Sequence, residues 1–203
     1  MLSEHKVNNV TELRNYADQL LQQVVSNNAD SILDNLRQAI ENIKANWKGK
    51  DAGLRIQEII KVHNSMVELR NKIAQYAVDT SKVAVAYREA QNAGGANFET
   101  LTTLSFDVKT NIPDYSDLTD TIDINPSVEA GKRYVDAAND SMDELVSNFE
   151  AKKNEIMSRW IAGPGRDAAE DVYNLLKSSV VQHKQTLTVV SSNISKALQN
   201  YTM

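Results

Sequence analysis

The chain has 203 residues, 41% of them hydrophobic, with only 7 Gly, 3 Pro and no Cys. This composition suits one or two domains, favours long helices, and excludes disulfides and thiolate metal sites. The net charge is −5 and no basic stripe accompanies it, so we expect no nucleic-acid binding. No apolar run is long enough to span a bilayer, and no apolar signal segment follows Met1. We therefore expect a protein that is made in the cytoplasm and does not insert stably into membranes.

The first part of the chain has the apolar spacing of two long amphipathic helices. Apolar residues recur in steps of three and four over residues 13–47 and again over residues 52–87. The polar residues 26–28 interrupt the first stripe, so we expect a kink there. Because only a short turn joins the two helices, they should fold back as an antiparallel hairpin within residues 1–91.

Glycine is expected to end the first helix. Gly49 accepts the left-handed conformation that closes a helix at little cost, and Asp51 is the expected N-cap of the next helix. A similar break, Gly163-Pro164-Gly165, comes later in the chain, with Asp167 as the expected cap. The run Gly163–Arg166 offers backbone N–H groups to an anion in principle. It lacks the lysine of a phosphate-binding loop, so we expect a simple turn.

Residues 92–127 have the composition of an acidic, irregular linker. The segment carries six acids against one lysine and contains Gly94-Gly95. A loop of this length is unusual inside a compact domain, which leaves two interpretations: a connection between modules, or a segment lying across the helices. Four of its acids are evenly spaced but match no EF-hand loop, so we expect a solvated, mobile charge run and no calcium site. These acids are Asp114, Asp117, Asp120 and Asp123.

Residues 128–203 repeat the two-helix pattern. Apolar steps of three and four lead to Trp160 and resume from Val172 to Tyr201, and Asn125 or Ser127 is the expected cap of the first of these helices. We therefore predict an all-α protein in which two long antiparallel helical hairpins pack as an elongated four-helix bundle.

The two hairpins align with each other. Leu36 lies eleven residues before Trp47, and Phe149 lies eleven residues before Trp160. Each second helix also ends its apolar stripe on a tyrosine. This match favours an internal duplication. The two tyrosines are Tyr87 and Tyr201.

A hairpin of two long helices with Trp-x-Gly at its turn resembles the WXG family. These are the small ESAT-like proteins associated with type VII secretion in Gram-positive bacteria and mycobacteria. Trp47-Lys48-Gly49 matches the motif directly. The second turn, Trp160-Ile161-Ala162-Gly163, has one residue more, so the resemblance there depends on position.

The resemblance implies a non-enzymatic protein of a type VII secretion system, a secreted substrate, effector or adaptor acting through helix-mediated protein–protein binding. Its partners would be the secretion machinery, another WXG-type protein or a helical toxin domain. Family members pair as four-helix dimers. The two halves of this chain are therefore expected to pack on each other as a pseudo-dimer, with pairing between separate chains as the alternative.

Export would proceed without a cleaved signal peptide. Secreted members of the family carry Tyr-x-x-x-Asp/Glu after the second helix, and this mark is missing: Gln91 stands four residues after Tyr87, and only two residues follow Tyr201. A cytoplasmic helical chaperone or scaffold for a larger secreted toxin is the alternative function. A membrane-acting toxin is disfavoured because its nearest candidate segment, residues 101–108, is too short and too interrupted by polar residues to span a bilayer.

Trp47 and Trp160 have two interpretations. The resemblance implies a partner-binding groove at each hairpin turn. The simpler interpretation is structural: each indole closes the end of a hairpin core and donates its N–H to a backbone carbonyl. The other candidate site residues are Gly49 and Gly163, assigned to turn geometry, and Tyr87 and Tyr201, assigned to helix-end contacts.

The sequence offers no candidate for catalysis or metal binding. His63 and His183 lie in apolar stripes and have no carboxylate or histidine partner at metal-ligand spacing. We expect both to be hydrogen-bonded residues of the core or its boundary. No nucleophile elbow, phosphate-binding glycine loop or paired carboxylates occur, so we expect neither an enzyme nor a cofactor.

Overall fold

The computed structural model describes residues 6–201. Long helices dominate this part of the chain, so the predicted all-α class is confirmed. None of the helices in this part is both long and apolar enough to cross a membrane. The helical elements are α1 (Val10–Gln19), a π-helical segment (Leu20–Ala29), α2 (Asp30–Asn46), α3 (Lys50–Ala93), α4 (Val128–Arg159) and α5 (Pro164–Tyr201). The strands are β1 (Lys6–Val7), β2 (Trp47–Lys48), β3 (Asp123–Ile124) and β4 (Trp160–Ala162).

The first helical stretch changes its winding where the sequence predicts a kink. The polar residues 26–28 lie in the π-helical segment Leu20–Ala29. The apolar members of this segment stay buried, among them Leu20, Val24 and Ala29 at 0% exposure. In a π-helix each backbone hydrogen bond joins residue i to residue i+5, so one turn contains more residues than an α-helical turn. The wider turn accommodates the interruption of the apolar stripe and keeps the apolar residues on the buried face.

The chain forms two compact units, and each draws segments from both hairpins. Unit 1 contains Met1–Asn28, Leu69–Val108 and Leu145–Lys177. Unit 2 contains Ala29–Glu68, Lys109–Glu144 and Ser178–Met203.

The core of unit 1 is built by apolar stripes of four helical segments. Fully buried side chains come from α1, α3, α4 and α5, with one example each in Leu13, Ile73, Phe149 and Leu176. Hydrogen bonds between the first and second halves of the chain accompany this core. They join Asn148 Nδ2 to Asn28 Oδ1 at 2.9 Å and Lys152 Nζ to Gln19 Oε1 at 2.8 Å. An ion pair between Arg159 and Glu12, with Nε 2.5 Å from Oε2, also joins the halves.

Unit 2 has the same construction from the other segments of the same helices. Leu36, Ile59, Met142 and Val190 are fully buried. The hydrogen bonds between the halves in this unit join Gly131 N to Asn42 Oδ1 at 2.8 Å and His183 Nε2 to Ser65 Oγ at 2.9 Å. A Cβ atom on Gly131 would lie 2.8 Å from that Asn42 oxygen, so glycine permits the close approach of α4 to α2.

Residues 98–120, the covering segment, lie along α3 without regular secondary structure. In unit 1 this segment is held by Arg88 and Arg70, whose Nη1 atoms donate to the carbonyls of Glu99 and Asp107 at 2.7 and 2.6 Å. The helix rises about 27 Å between these two arginines, and eight residues of extended chain cover about the same distance. The covering segment therefore runs antiparallel to α3 in an extended conformation.

The same arrangement continues within unit 2. Asn64 binds Ile112, and Gln57 binds Tyr115, whose N–H donates to Gln57 Oε1 at 2.9 Å. Between these contacts α3 rises about 10 Å, again the length of the intervening three extended residues. Of the two interpretations of the linker, a segment lying across the helices is the correct one for residues 98–120.

The expectation of a solvated charge run is correct only in part: Asp114, Asp120 and Asp123 are exposed, but three of the four evenly spaced acids have partners on or beside α3. Asp114 accepts a hydrogen bond from Gln57 Nε2 at 2.8 Å, and Asp120 pairs with Lys50. Asp117 accepts from the backbone N–H of Gly49 at 2.9 Å. These carboxylates attach the segment to the N-terminal end of α3.

Candidate functional site

The first turn, in unit 2, places Trp47 in the core. Trp47 is 2% exposed and lies in β2, which pairs antiparallel with β3 so that Trp47 stands opposite Ile124. The N–H of Asn125 donates to the carbonyl of Asn46 at 2.7 Å and extends the pairing by one hydrogen bond. Gly49 follows with φ of 111°, a conformation that disfavours a side chain.

The second turn, in unit 1, repeats this construction around Trp160. Trp160 is 1% exposed and lies in β4, opposite Val7 of β1. The N–H of Asn8 donates to the carbonyl of Arg159 at 2.7 Å. Gly163 has φ of 137°. The second turn thus reproduces the geometry of the first despite its additional residue, because β4 has three residues where β2 has two.

The short strands that complete the turns were missed by the sequence reading. Each of them comes directly before the first helix of a hairpin, in Val7-Asn8-Asn9 before α1 and in Ile124-Asn125-Pro126 before α4. A branched apolar residue followed by Asn is the shared signal. A strand of two residues is too short to show the alternation of apolar and polar residues by which strands are recognised in a sequence. The strands can be found only by comparing the residues before α1 with those before α4.

Two expected helix caps are wrong. α3 begins at Lys50, so Asp51 lies in its first turn, and the acceptor at this helix end is Asp117 of the covering segment. The Gly49 N–H is the main reason that the pKa of Asp117 is lowered, and contacts with Thr119 contribute. α5 begins at Pro164, so Asp167 also lies in a first turn.

Gly165 has a packing role beside the second turn. A Cβ atom on this residue would lie 2.4 Å from Cη2 of Trp160. Glycine therefore leaves the space that the indole ring fills. Residues 164–166 belong to the first turn of α5, so Gly163 is the only residue of the expected turn 163–166 that lies outside a helix.

Tyr201 and Trp47 line the same groove in unit 2. The groove has a volume of about 210 Å³. Tyr201, near the C-terminal end of α5, is 44% exposed, whereas Trp47 contributes from its buried position. Polar side chains of α3 and α5 make up most of the remaining lining: Asp51, Arg55, Asn193, Lys196 and Asn200.

Tyr87 lies in unit 1 and lines a different cavity, of about 450 Å³. Val7 of β1 lines it too, so the cavity adjoins the strand that pairs with Trp160. Tyr87 is half-buried. The structure therefore brings Tyr201 together with Trp47, and Tyr87 together with the partner strand of Trp160.

The histidines lie in hydrogen-bond networks of unit 2. His63 is 0% exposed, and its burial is the main cause of a lowered pKa. Arg37 Nε donates to its Nε2 at 3.1 Å, so Nδ1 carries the proton and donates to Asn64 Oδ1 at 3.0 Å. Burial also lowers the pKa of His183, whose Nε2 lies 2.9 Å from Ser65 Oγ. Over residues 6–201, no three His, Asp or Glu side chains are grouped in a way that would hold a metal ion.

The two tryptophan turns, the groove beside Trp47 and the cavity beside Tyr87 are the candidate functional features. No protein-family model, curated protein or solved structure matches the chain. Its function is therefore inferred from these features and from the residues that build them.

Proposed function

We propose that this chain is a non-enzymatic WXG-type protein of a type VII secretion system. It acts as a secreted substrate, effector or adaptor through helix-mediated protein–protein binding. The observation that supports the proposal is the common construction of the turns at Trp47 and Trp160. In both, a buried tryptophan follows a long helix, a glycine of positive φ ends the turn, and a second long helix returns.

The surface offered to a partner in this proposal is the groove beside Trp47. The indole is nearly inaccessible, so a partner contacts the rim and not the ring. Tyr201 provides an exposed aromatic side chain there, and Arg55 and Lys196 provide cations. Tyrosine and arginine are enriched in protein interfaces, because one residue supplies both apolar area and hydrogen bonds.

Export is tested in a bacterial strain that carries this gene and a working type VII system. The proposal predicts that the protein is found in the culture supernatant of this strain. After the membrane ATPase of the system is inactivated, the protein should be found only in the cell lysate. Tyr201→Ala should reduce the secreted fraction, whereas Gln199→Ala, at an exposed neighbouring position of α5, should not. Secretion that is independent of the ATPase would refute the proposal.

The alternative function, a cytoplasmic chaperone or scaffold, predicts a different result. In that case the protein stays in the lysate of a competent strain, bound to one larger secreted toxin whose export fails when the gene is deleted.

Light scattering of the purified chain checks the pairing of the halves. A molar mass near 22.6 kDa fits pairing within one chain, and a mass near twice that value indicates pairing between chains.

A further inference from the structure

We propose that the cavity beside Tyr87 in unit 1 is a carboxylate-binding site for an acidic side chain of a partner protein, with Arg88 as its cationic group. The cavity has a volume of about 450 Å³. Its lining comes from β1, the start of α1, the end of α3 and the start of the covering segment. Besides Tyr87 and Arg88 the lining residues are Val7, Asn9, Val10, Thr11, Gln91, Phe98 and Glu99.

The guanidinium of Arg88 is buried and, within the described residues 6–201, has no counter-charge. The residue is 7% exposed. Nη1 donates to the carbonyl of Glu99 at 2.7 Å and Nη2 donates to Thr11 Oγ1 at 2.7 Å. The group also lies over the ring of Phe98, with Cζ 4.8 Å from the ring centroid. All of these partners are neutral, and within residues 6–201 Arg88 forms no salt bridge.

Removing a cation from water is unfavourable unless an opposite charge or a full set of hydrogen bonds compensates. Lys153, buried to a similar degree at 4% exposed, has such compensation from Glu170 at 2.5 Å. The desolvation of Arg88 is compensated only in part, because its Nε is buried and has no hydrogen-bond partner among residues 6–201. An anion in the adjoining cavity would supply the missing charge.

The walls favour a carboxylate on a short apolar stem. Val7, Val10 and Phe98 provide apolar surface for methylene groups, and Asn9 and Gln91 provide amides. The cavity is partly open to solvent. Small-molecule sites usually enclose most of their ligand, so an open cavity of this kind suits a side chain whose remaining surface is covered by the protein that carries it.

Glu99 determines how strongly the site binds. Its exposed side chain lies at the cavity wall and does not pair with Arg88. A ligand carboxylate is therefore attracted by Arg88 and repelled by Glu99. This arrangement predicts weak binding that strengthens when Glu99 loses its charge.

The test uses the full chain and two blocked tripeptides, acetyl-Ala-Glu-Ala-amide and its Gln counterpart. Binding is followed by NMR through the backbone amide of Thr11 and the side-chain N–H of Arg88. The Glu peptide should give saturable shifts at millimolar concentration, and the Gln peptide should give none. This experiment is independent of the secretion proposal, because its probe is a carboxylate and not a secretion partner.

Three variants decide the outcome. Arg88→Gln should weaken binding at least tenfold, as expected for loss of a charged hydrogen-bond donor. Arg70→Gln is the matched control, since Arg70 also donates to a carbonyl of the covering segment and lies over a phenylalanine ring but does not line this cavity. It should leave binding unchanged. Glu99→Gln should tighten binding severalfold.

Unchanged binding in Arg88→Gln or Glu99→Gln would overturn the inference. If Arg88→Gln does not fold, the Glu99→Gln measurement decides, because that residue is exposed and its replacement leaves the core intact. Free acetate that binds as tightly as the Glu peptide would overturn the assignment to a partner side chain and leave a general anion site.

Discussion

Asn64 binds both backbone groups of Ile112. Its Nδ2 donates to the Ile112 carbonyl and its Oδ1 accepts from the Ile112 N–H, each at 2.8 Å. Asn92, on the same helix, binds Phe98 in the same way at 3.1 and 2.9 Å. The amide side chain thus makes the two hydrogen bonds that a neighbouring strand would make. Because it binds only backbone groups, it satisfies the N–H and the carbonyl of the covering segment whatever side chain stands at that position.

Asn64→Ala should destabilise the protein by about 1–3 kcal/mol. The change leaves the half-buried backbone groups of Ile112, and Nδ1 of His63, without their partner. Urea denaturation measures the loss. Asn92→Ala is the matched control: it removes the same pair of hydrogen bonds at an exposed position, where water replaces them, and should have a smaller effect. Equal losses would mean that burial does not decide the strength of these bonds.

The stability of the chain should fall as the pH drops below about 6.5, and His63 should be one cause. Its pKa is lowered in the folded protein. In the window between that lowered pKa and 6.5, the unfolded chain binds a proton that the folded chain does not, so the free energy of unfolding decreases with falling pH. The slope contributed by one histidine is at most about 1.4 kcal/mol per pH unit.

Urea denaturation between pH 7.5 and pH 5.5 checks this slope in the wild type and in His63→Gln. The variant should show a smaller slope whatever its stability at pH 7.5. His183→Gln tests the second histidine with a lowered pKa. The charged groups that influence His63 are Arg37, which disfavours its protonation, and Asp34, which favours it. An unaltered slope in His63→Gln would contradict the assignment.

Gly165→Ala should destabilise the second turn by about 1–3 kcal/mol, the range for overpacking a core. The added methyl would lie 2.4 Å from the indole of Trp160 and 3.0 Å from its Cζ2. Thermal denaturation and tryptophan fluorescence report the effect. Gly94→Ala is the control, because its nearest neighbours lie 3.4 Å or more away, and it should stay within about 0.5 kcal/mol of the wild type.

Trp47→Ala and Trp160→Ala should each cost about 3–5 kcal/mol, as expected for removal of a buried aromatic side chain. Both rings are at most 2% exposed. Circular dichroism during thermal denaturation gives the stability, and binding to any identified partner is measured on the fraction that remains folded. Lost binding with an unchanged melting temperature would assign the indole to direct contact and contradict its placement in the core.

The positions of the helices follow from the sequence, because one apolar stripe per helix is enough to predict them. The first helix was expected to end at the Trp47 turn and ends at Asn46. The third was expected to begin just after Ser127 and begins at Val128. Glycine at both turns adopts positive φ, as its conformational freedom suggests.

The course of the covering segment does not follow from the sequence. Its contacts join residues that are far apart along the chain: Arg14 and Thr102 are separated by 88 positions, and Gln57 and Tyr115 by 58. No local pattern of charge or hydropathy encodes such pairs. The sequence therefore gives the exposure of the acids near Asp117 but not their partners Gly49, Lys50 and Gln57, which only the folded chain shows.

The reciprocal pairing of the four short strands has an evolutionary consequence. β1 precedes the first hairpin and closes the turn of the second, whereas β3 precedes the second hairpin and closes the turn of the first. Two identical subunits exchange strands in this manner across a homodimer. Together with the matching positions of Trp47 and Trp160, this pairing is the arrangement expected if the chain arose by duplication of such a subunit, because each hairpin then carries the strand that completes the turn of the other.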